Sequence, residues 1–261
     1  MPQSRARVYS TEAIPLKRMD FGEADRIITL FTPGLGKVRA IARGVRRSTS
    51  RMAGHLELFT CSHLMLARGR ELDIVTQAST VEPFRALRED LVKSSQAYHL
   101  CELVDAFLQD RDENRAAFLL LRSALEALAG SDVVPELVAR HFELQFLAAA
   151  GFRPQLYSCL SCEAPIQAEA NAYSVPLGGV LCPACAPSEP SARAIATDTL
   201  KLLRLLQRTP AIGDVAVGVP PATLRESERL LREVIEFVLE RRLRAAEFVH
   251  HVAETAAGYR A

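Results

Sequence analysis

Four cysteines carry the plainest chemistry in this chain: Cys159 and Cys162 in C-L-S-C, then, after nineteen intervening residues, Cys182 and Cys185 in C-P-A-C. Two residues between paired cysteines form a tight turn that aims both sulfurs at one point. Two such turns complete a tetrahedron of thiolates. The pattern predicts one structural zinc ion on Cys159, Cys162, Cys182 and Cys185, because no position is left open for an activated water. In a segment too short for its own core, that metal would supply folding free energy on the order of 10 kcal/mol. Cys61 and Cys101 stand apart and read as buried small hydrophobes.

A catalytic zinc would need different neighbours. Nucleobase deaminases place H-x-E ahead of P-C-x-x-C, and His55-Leu56-Glu57 and His141-Phe142-Glu143 supply the first half. Ser158 and Leu181, not proline, precede the cysteine pairs. A site built on His141, Cys182 and Cys185 would also leave Cys159 and Cys162 without a role, so His141 is expected on the polar side of its helix. Pro33-Gly34-Leu35-Gly36-Lys37 ends like a phosphate loop but lacks its first glycine, and Val38 replaces the magnesium-binding hydroxyl. It reads as a turn between strands. G-x-S-x-G, H-E-x-x-H and G-x-G-x-x-G are absent, and the expectation is a protein that is not an enzyme. A zinc-dependent enzyme acting on nucleic acid, or an RNA- or ribosome-associated zinc-ribbon protein, stand as alternatives. His250-His251 reads as surface helix.

The second group with chemical potential is cationic. Residues 37–51, KVRAIARGVRRSTSR, hold six cations and no acid. In a strand, side chains alternate between faces, so Lys37, Arg39 and Arg43 should share one face while Val38, Ala40 and Ala42 point into a core. Arg46, Arg47 and Arg51 continue onto the following loop. A row of cations along such a sheet tracks a phosphate backbone. Aromatics for stacking are sparse (Tyr9, Phe21, Phe31 and Phe59, with no Trp), so phosphate contacts should dominate and sequence specificity should be weak.

Elements must position these groups. The first 80 residues read as five short strands, 7–16, 26–32, 37–43, 60–67 and 71–78, broken by Asp20-Phe21-Gly22, the Pro33 turn and Arg68-Gly69-Arg70. Five strands in that length suggest a small barrel, with the OB-fold the natural candidate. After Pro83 the apolar period changes to three and four, giving three amphipathic helices, the third capped by Ser131 or Asp132 and stopped at Gly151. Two more follow, 197–207 and about 222–248, the latter with the stripe Leu230, Leu231, Val234, Ile235, Val238 and Leu239. The expected class is therefore α+β: residues 1–80 an OB-fold β-barrel, 81–154 and 191–261 an α-helical domain, and 155–190 an inserted four-cysteine zinc module.

At 261 residues the chain can bury a substantial core. Its longest apolar stretch, 137–150, is interrupted by Arg140, His141, Glu143 and Gln145, which argues against a membrane span. The start has no apolar core of a secretory signal, so the expected location is cytoplasmic. The net charge of +1 hides a division. Residues 1–80 carry 13 Lys and Arg against 7 Asp and Glu, net +6, and the rest carry 19 against 24, net −5. A polyanion partner is implied for the first part only.

Four segments, taken in order, carry a resemblance. They are F21-G-E-A-D-R-I-I-T-L-F-T32, G36-K-V-R-A-I-A-R-G-V-R-R47, Ala150-Gly151-Phe152-Arg153-Pro154 and G178-G-V-L-C-P-A-C185. Together the chain resembles the bacterial recombination mediator family RecO, across essentially its whole length. The resemblance implies an N-terminal OB-fold, a helical domain and a zinc module. It further implies binding of single- and double-stranded DNA, annealing of complementary strands, and partnership with RecR and single-strand DNA-binding protein. Members help load the recombinase RecA onto coated single strands, without using a nucleotide, at the nucleoid. Some lack the cysteines, which makes the zinc a scaffold. Carried onto this chain, the DNA contacts are Arg39, Arg43, Arg46, Arg47 and Arg51, then Lys37, Arg26, Lys17 and Arg18. Glu23 and Asp25 are assigned to turn hydrogen bonds or a pair with Arg26.

Overall fold

The structure, a computed structural model, describes residues 7–130, 134–215, 218–245, 248, 249 and 252. Five strands lead: β1 Val8–Phe21, β2 Asp25–Thr32, β3 Gly36–Ala42, β4 Cys61–Ala67 and β5 Asp73–Glu82. They close into a barrel in the order β1-β2-β3-β5-β4, with β3 parallel to β5 and every other pair antiparallel. β1 serves both neighbours. Residues 8–13 pair with β4, residues 14–21 pair with β2, and a bulge between Pro15 and Lys17, just inside the second stretch, bends the strand. This is the OB-fold the sequence leads one to expect. β1 and β5 run further than the sequence suggests, so the first turn falls at 22–24 rather than at Asp20-Phe21-Gly22. Beyond its bulge β1 reads K-R-M-D-F and exposes most of its side chains, so its composition resembles a loop.

The helices are α1 Ala86–Glu89, α2 Leu91–Phe107, α3 Arg115–Ala129, α4 Pro135–Ala149, α5 Thr197–Arg208 and α6 Pro221–Leu239. Asp90 and Asn114 cap α2 and α3 by accepting from the backbone N–H of Lys93 and Ala117. Pro135 opens α4, and Ser131 and Asp132 lie outside the described residues. Gly151 ends α4 in the left-handed region at φ 88°: its N–H donates to Ala148 and that of Phe152 to Leu147.

α4 packs against α2, α3, α5 and α6. A helix surrounded this way has no polar side, which corrects the expectation for His141. That side chain is buried, its Nε2 2.8 Å from the Thr209 carbonyl. The Gln145 amide reaches the carbonyls of Leu206, Gln207 and Thr209, so the last turn of α5 is satisfied by side chains of α4. α6 stops at Leu239, nine residues before the expected limit at 248, with Glu240 at φ 53°. The stripe gives way there to Glu240-Arg241-Arg242, and Leu243 turns back into the core. A new helical turn starts at Arg244, where the Glu102 carboxylate accepts from the N–H groups of Arg244 and Ala245 at 3.1 and 2.6 Å. His250 and His251 lie outside the described residues.

Two cores result. Ala13, Ile28, Leu30, Ala40, Ala42, Leu64 and Leu66 fill the barrel. A larger core runs from Ile14, Phe31 and Phe59 on the barrel's flank, through the helices, to Cys159, Tyr173 and Val180. At the seam, Gly36 (φ 60°) lies so close to the 110–112 loop that a Cβ there would stand 1.8 Å from the Asp112 carbonyl oxygen. Among the described residues, no helix is long and apolar enough to cross a membrane.

Candidate metal centre and nucleic-acid interface

A three-stranded sheet, in the order β7-β6-β8, carries the cysteine segment: β6 Ala172–Ser174, β7 Gly179–Leu181 and β8 Arg193–Ala194. Cys182 follows β7 directly, and the N–H of Leu160 bonds to Val180, which ties the first cysteine turn to the same strand. In one turn the Glu163 N–H reaches the Cys159 carbonyl; in the other the N–H groups of Cys185 and Ala186 reach that of Cys182. The four sulfurs all lie within 4.8 Å of one another. Cys162 and Cys182 Sγ are 3.8 Å apart, far beyond a bonded pair. A tetrahedron with metal–sulfur bonds of about 2.3 Å has edges of about 3.8 Å.

The electrostatics point the same way. Burial opposes ionisation of the Cys159 thiol, yet backbone hydrogen bonds from Cys162, Cys182 and Ser161 bring it down to about 6. Cys185 is hydrogen-bonded to Ser161, which favours its thiolate, but sharing with the Cys182 and Cys162 sulfurs pushes it up to about 12. Four thiols this close give up all their protons only around a cation, so the donor set fits a closed metal site. His141 and Glu143 are not among its ligands: Glu143 binds Arg140 on α4 and His99 on α2. Cys61 and Cys101 are both buried, and burial pushes the Cys61 thiol up to about 11 and Cys101 higher still.

Of the basic residues, Arg18 and Arg26 fall in register with the barrel-interior Ile28 and Ala42, and Arg43, Arg46, Arg47 and Arg51 follow the end of β3. Lys17, Lys37 and Arg39 lie on the outer face of β1 and β3, where cross-strand register sorts the side chains into rows. Ile14, Phe31 and Lys37 form the first, then Lys17, Thr29 and Arg39, then Met19, Ile27 and Ile41, and last Phe21 and Asp25. Helices cover the first row: Phe31 packs on Phe118 with ring centroids 5.7 Å apart. Lys37 shares the face of Arg39, as strand alternation requires, but its side chain is only 8% exposed. Its Nζ donates to the Asp105 carbonyl at 2.6 Å and to the Asp105 carboxylate at 3.1 Å, with Asp110 at 3.7 Å. Sequence patterning alone does not reveal that helices cover this row.

Lys17, Arg39, Arg43, Arg47 and Arg51 are exposed and, among the described residues, form no ion pair. Arg46 meets Asp20 at 3.3 Å, a surface pair of little strength. Arg18 and Arg26 share Glu57 at the barrel's mouth, and Arg26 also meets Asp20 at 2.9 Å. Asp25 accepts from the Gly44 N–H at 2.7 Å, a turn bond rather than a pair with Arg26.

Of the four aromatics, Phe31 and Phe59 are buried, and Tyr9 donates to Asp73 at 2.5 Å beneath Arg68. Burial opposes ionisation of Asp73, but hydrogen bonds from Tyr9, Gly69 and Arg111 hold it below the usual carboxylate range. Phe21 is exposed on the open face beside Met19, with the partly exposed Ile27 and Ile41. The sequence reading missed Met19, Ile27 and Ile41, although alternation places Met19 with Lys17 and Ile41 with Arg39, and register puts Ile27 between them. The open face thus offers apolar surface flanked by unpaired cations.

Two family models match, one described as "Recombination protein O N terminal" over residues 6–84, the other as "Recombination protein O C terminal" over residues 88–247. The chain is 44% identical over 250 residues to the DNA repair protein RecO of Roseiflexus sp. (strain RS-1), covering 96% of this chain and 88% of that one. It is 38% identical over 248 residues to the DNA repair protein RecO of Symbiobacterium thermophilum, covering 93% and 96%. To that of Dehalococcoides mccartyi (strain CBDB1) it is 37% identical over 237 residues, covering 91% and 93%.

Proposed function

Since this chain belongs to the RecO family of DNA repair proteins, we propose that it is a non-enzymatic recombination mediator whose barrel binds DNA through the outer face of β1–β3. The reading rests chiefly on that face: apolar side chains of Met19, Ile27 and Ile41 form the row next to Lys17 and Arg39, with exposed Phe21 beyond it and Arg43 just past the end of β3. Among the described residues these cations form no ion pair. Bases rest on the apolar strip while cations take phosphates, a mode indifferent to sequence. Arg46, Arg47 and Arg51 extend the phosphate track along the loop after β3. Arg18 and Arg26 hold the barrel's mouth through Glu57, and Lys37 fastens barrel to helices.

The domain division proposed is a DNA-binding barrel at 1–80, helices at 81–154 and 191–261, and a metal module at 155–190. Zinc is the metal proposed for Cys159, Cys162, Cys182 and Cys185, because a closed set of four cysteine sulfurs within 4.8 Å of one another suits it. Once bound, it clamps the two turns on the sheet they leave. By family resemblance the protein binds single and double strands, anneals complementary ones and, with RecR, helps load RecA onto strands coated by single-strand binding protein. It works in the cytoplasm at the nucleoid.

The deciding experiment is annealing of two complementary oligonucleotides, one coated with single-strand binding protein, at two salt concentrations without nucleotide. Salt-sensitive acceleration, lost in Arg39→Ala/Arg43→Ala, is the expected result. No acceleration by folded, zinc-loaded protein would overturn the proposal.

A further inference from the structure

A cavity of about 580 Å³ opens where the barrel's outer face runs under the helices. Its barrel wall is β1 just past residue 13, where pairing with β4 has ended; its far wall is α2 and the chain after α6. The acids at this cavity are already engaged. Glu102 accepts two backbone N–H groups and Asp105 holds Lys37, while of the cations there Arg18 is taken by Glu57. Lys17 and Arg244 line the cavity and, among the described residues, form no ion pair. Beside them stand two rings, Tyr98, 41% exposed, and Phe248, 39% exposed. Free cations set among accessible rings are what a single nucleic-acid strand recognises, phosphate to cation and base to ring.

Lys17 belongs to both places. It sits in the second row of the barrel face with Thr29 and Arg39, one row from the point where Phe31 and Lys37 pass beneath the helices, and it lines the cavity. We propose that the path of single-stranded DNA leaves the open barrel face over Lys17 and enters this seam, where Tyr98 and Phe248 stack bases and Arg244 meets a phosphate. The inference rests on the barrel face being the DNA interface, and it adds a second, helical wall to that site. The helical part then positions the strand itself, which its net charge of −5 over residues 81–261 conceals.

The test is fluorescence anisotropy of the full chain with oligothymidylates from about four to about sixteen nucleotides, the span of single OB-fold sites. Short oligomers rest on the barrel face and should bind Arg244→Gln and Tyr98→Leu as they bind the parent. Long ones should bind each variant more weakly, Tyr98→Leu by about tenfold, the scale of one lost stacking contact. Iodouracil at successive positions of the long oligomer should crosslink to Tyr98 at one end only. Tyr98 meets Phe59 edge-on at 4.9 Å, so its loss could disturb packing, whereas the exposed Arg244 side chain can be replaced without touching the core. Unchanged long-oligomer affinity in both variants, with every length weakened in Arg39→Ala/Arg43→Ala, would remove the cavity from the path and leave the barrel reading intact. Parental binding of all lengths by Arg39→Ala/Arg43→Ala would overturn the barrel reading and this inference with it.

Discussion

Two regions of this molecule hold arginines with opposite surroundings. On the barrel, Arg39 and Arg43 stand in solvent and, among the described residues, have no acid against them. Inside the helical core, Arg140 is buried and bonds Glu143 at 2.6 and 2.5 Å, while Glu143 also meets His99 at 2.6 Å and Glu228 lies 3.9 Å from Arg140. Burial works against the charge on both partners, yet each holds the other ionised: Arg140 is raised and Glu143 lowered from their ordinary values. A charge that folding has neutralised belongs to the structure. One that folding leaves in excess is available to a polyanion. Lys37 shows the rule within a single strand, since only Val38 separates it from Arg39 and yet it has gone over to the structural side.

The comparison breaks hardest at the compensated charges. The thiolates of the cysteine module are a third compensated set, and Cys182→Ser should cost most. It removes one of four ligands from a site whose metal binding is coupled to folding by on the order of 10 kcal/mol. Loss of stoichiometric zinc and a sharply lower Tm are expected; a variant that kept one zinc and parental stability would refute the four-cysteine site. Glu143→Ala comes next, because it strands Arg140 in the core. Removing one partner of a buried pair costs about 3–5 kcal/mol, measured by urea unfolding. A loss below about 1 kcal/mol would mean that water reaches Arg140 and that the network is not a structural one.

Arg39→Ala/Arg43→Ala sharpens the other side. Exposed and unpaired, these side chains should change stability by no more than about 0.5 kcal/mol. DNA binding should weaken about equally on unrelated sequences, and the salt slope should flatten by about one to two counterions. Destabilisation without a change in slope would reverse the assignment. The neighbouring Arg46→Ala/Arg47→Ala should act in the same direction and less strongly, since Arg46 already leans on Asp20.

What could be read without the structure follows from how local each feature is. The cysteine turns, the strand alternation of Val38, Ala40 and Ala42, and the Gly151 stop depend on neighbours within a few residues, and they stand as read. Lys37, His141 and the end of α6 depend on what another element does. Helix α2 covers Lys37, four helices enclose α4, and Glu102 on α2 caps the turn that starts at Arg244. The exposed strip of Met19, Ile27 and Ile41 escaped notice for a related reason. The bulge in β1 sets that Met19 faces out with Lys17, and the partners of Met19 across the sheet, Ile27 and Ile41, face out with it. Alternation gives two faces, and only tertiary contact tells which rows of a face stay open.

The smallest effect concerns His141, a compensated group whose partner is a neutral carbonyl. Burial holds its pKa below the ordinary value of 6.5, and the hydrogen bond to Thr209 only partly offsets this. In the unfolded chain the imidazole takes up a proton near pH 6.5, while the folded chain resists until lower pH. The contribution is therefore fully present above about pH 6.5 and is lost as the pH falls through the window below it, with a slope of at most about 1.4 kcal/mol per unit. Glu143 and Asp73, held below their ordinary values, add no loss until the pH nears the carboxylate range. His141→Gln keeps an N–H for the Thr209 carbonyl and removes the titration, so its urea midpoint should vary less between about pH 7 and about pH 5 than the parent's. Equal slopes would show that protonation of His141 is met by water or movement at the end of α5, and that this part of the core is less closed than the Arg140–Glu143 pair beside it.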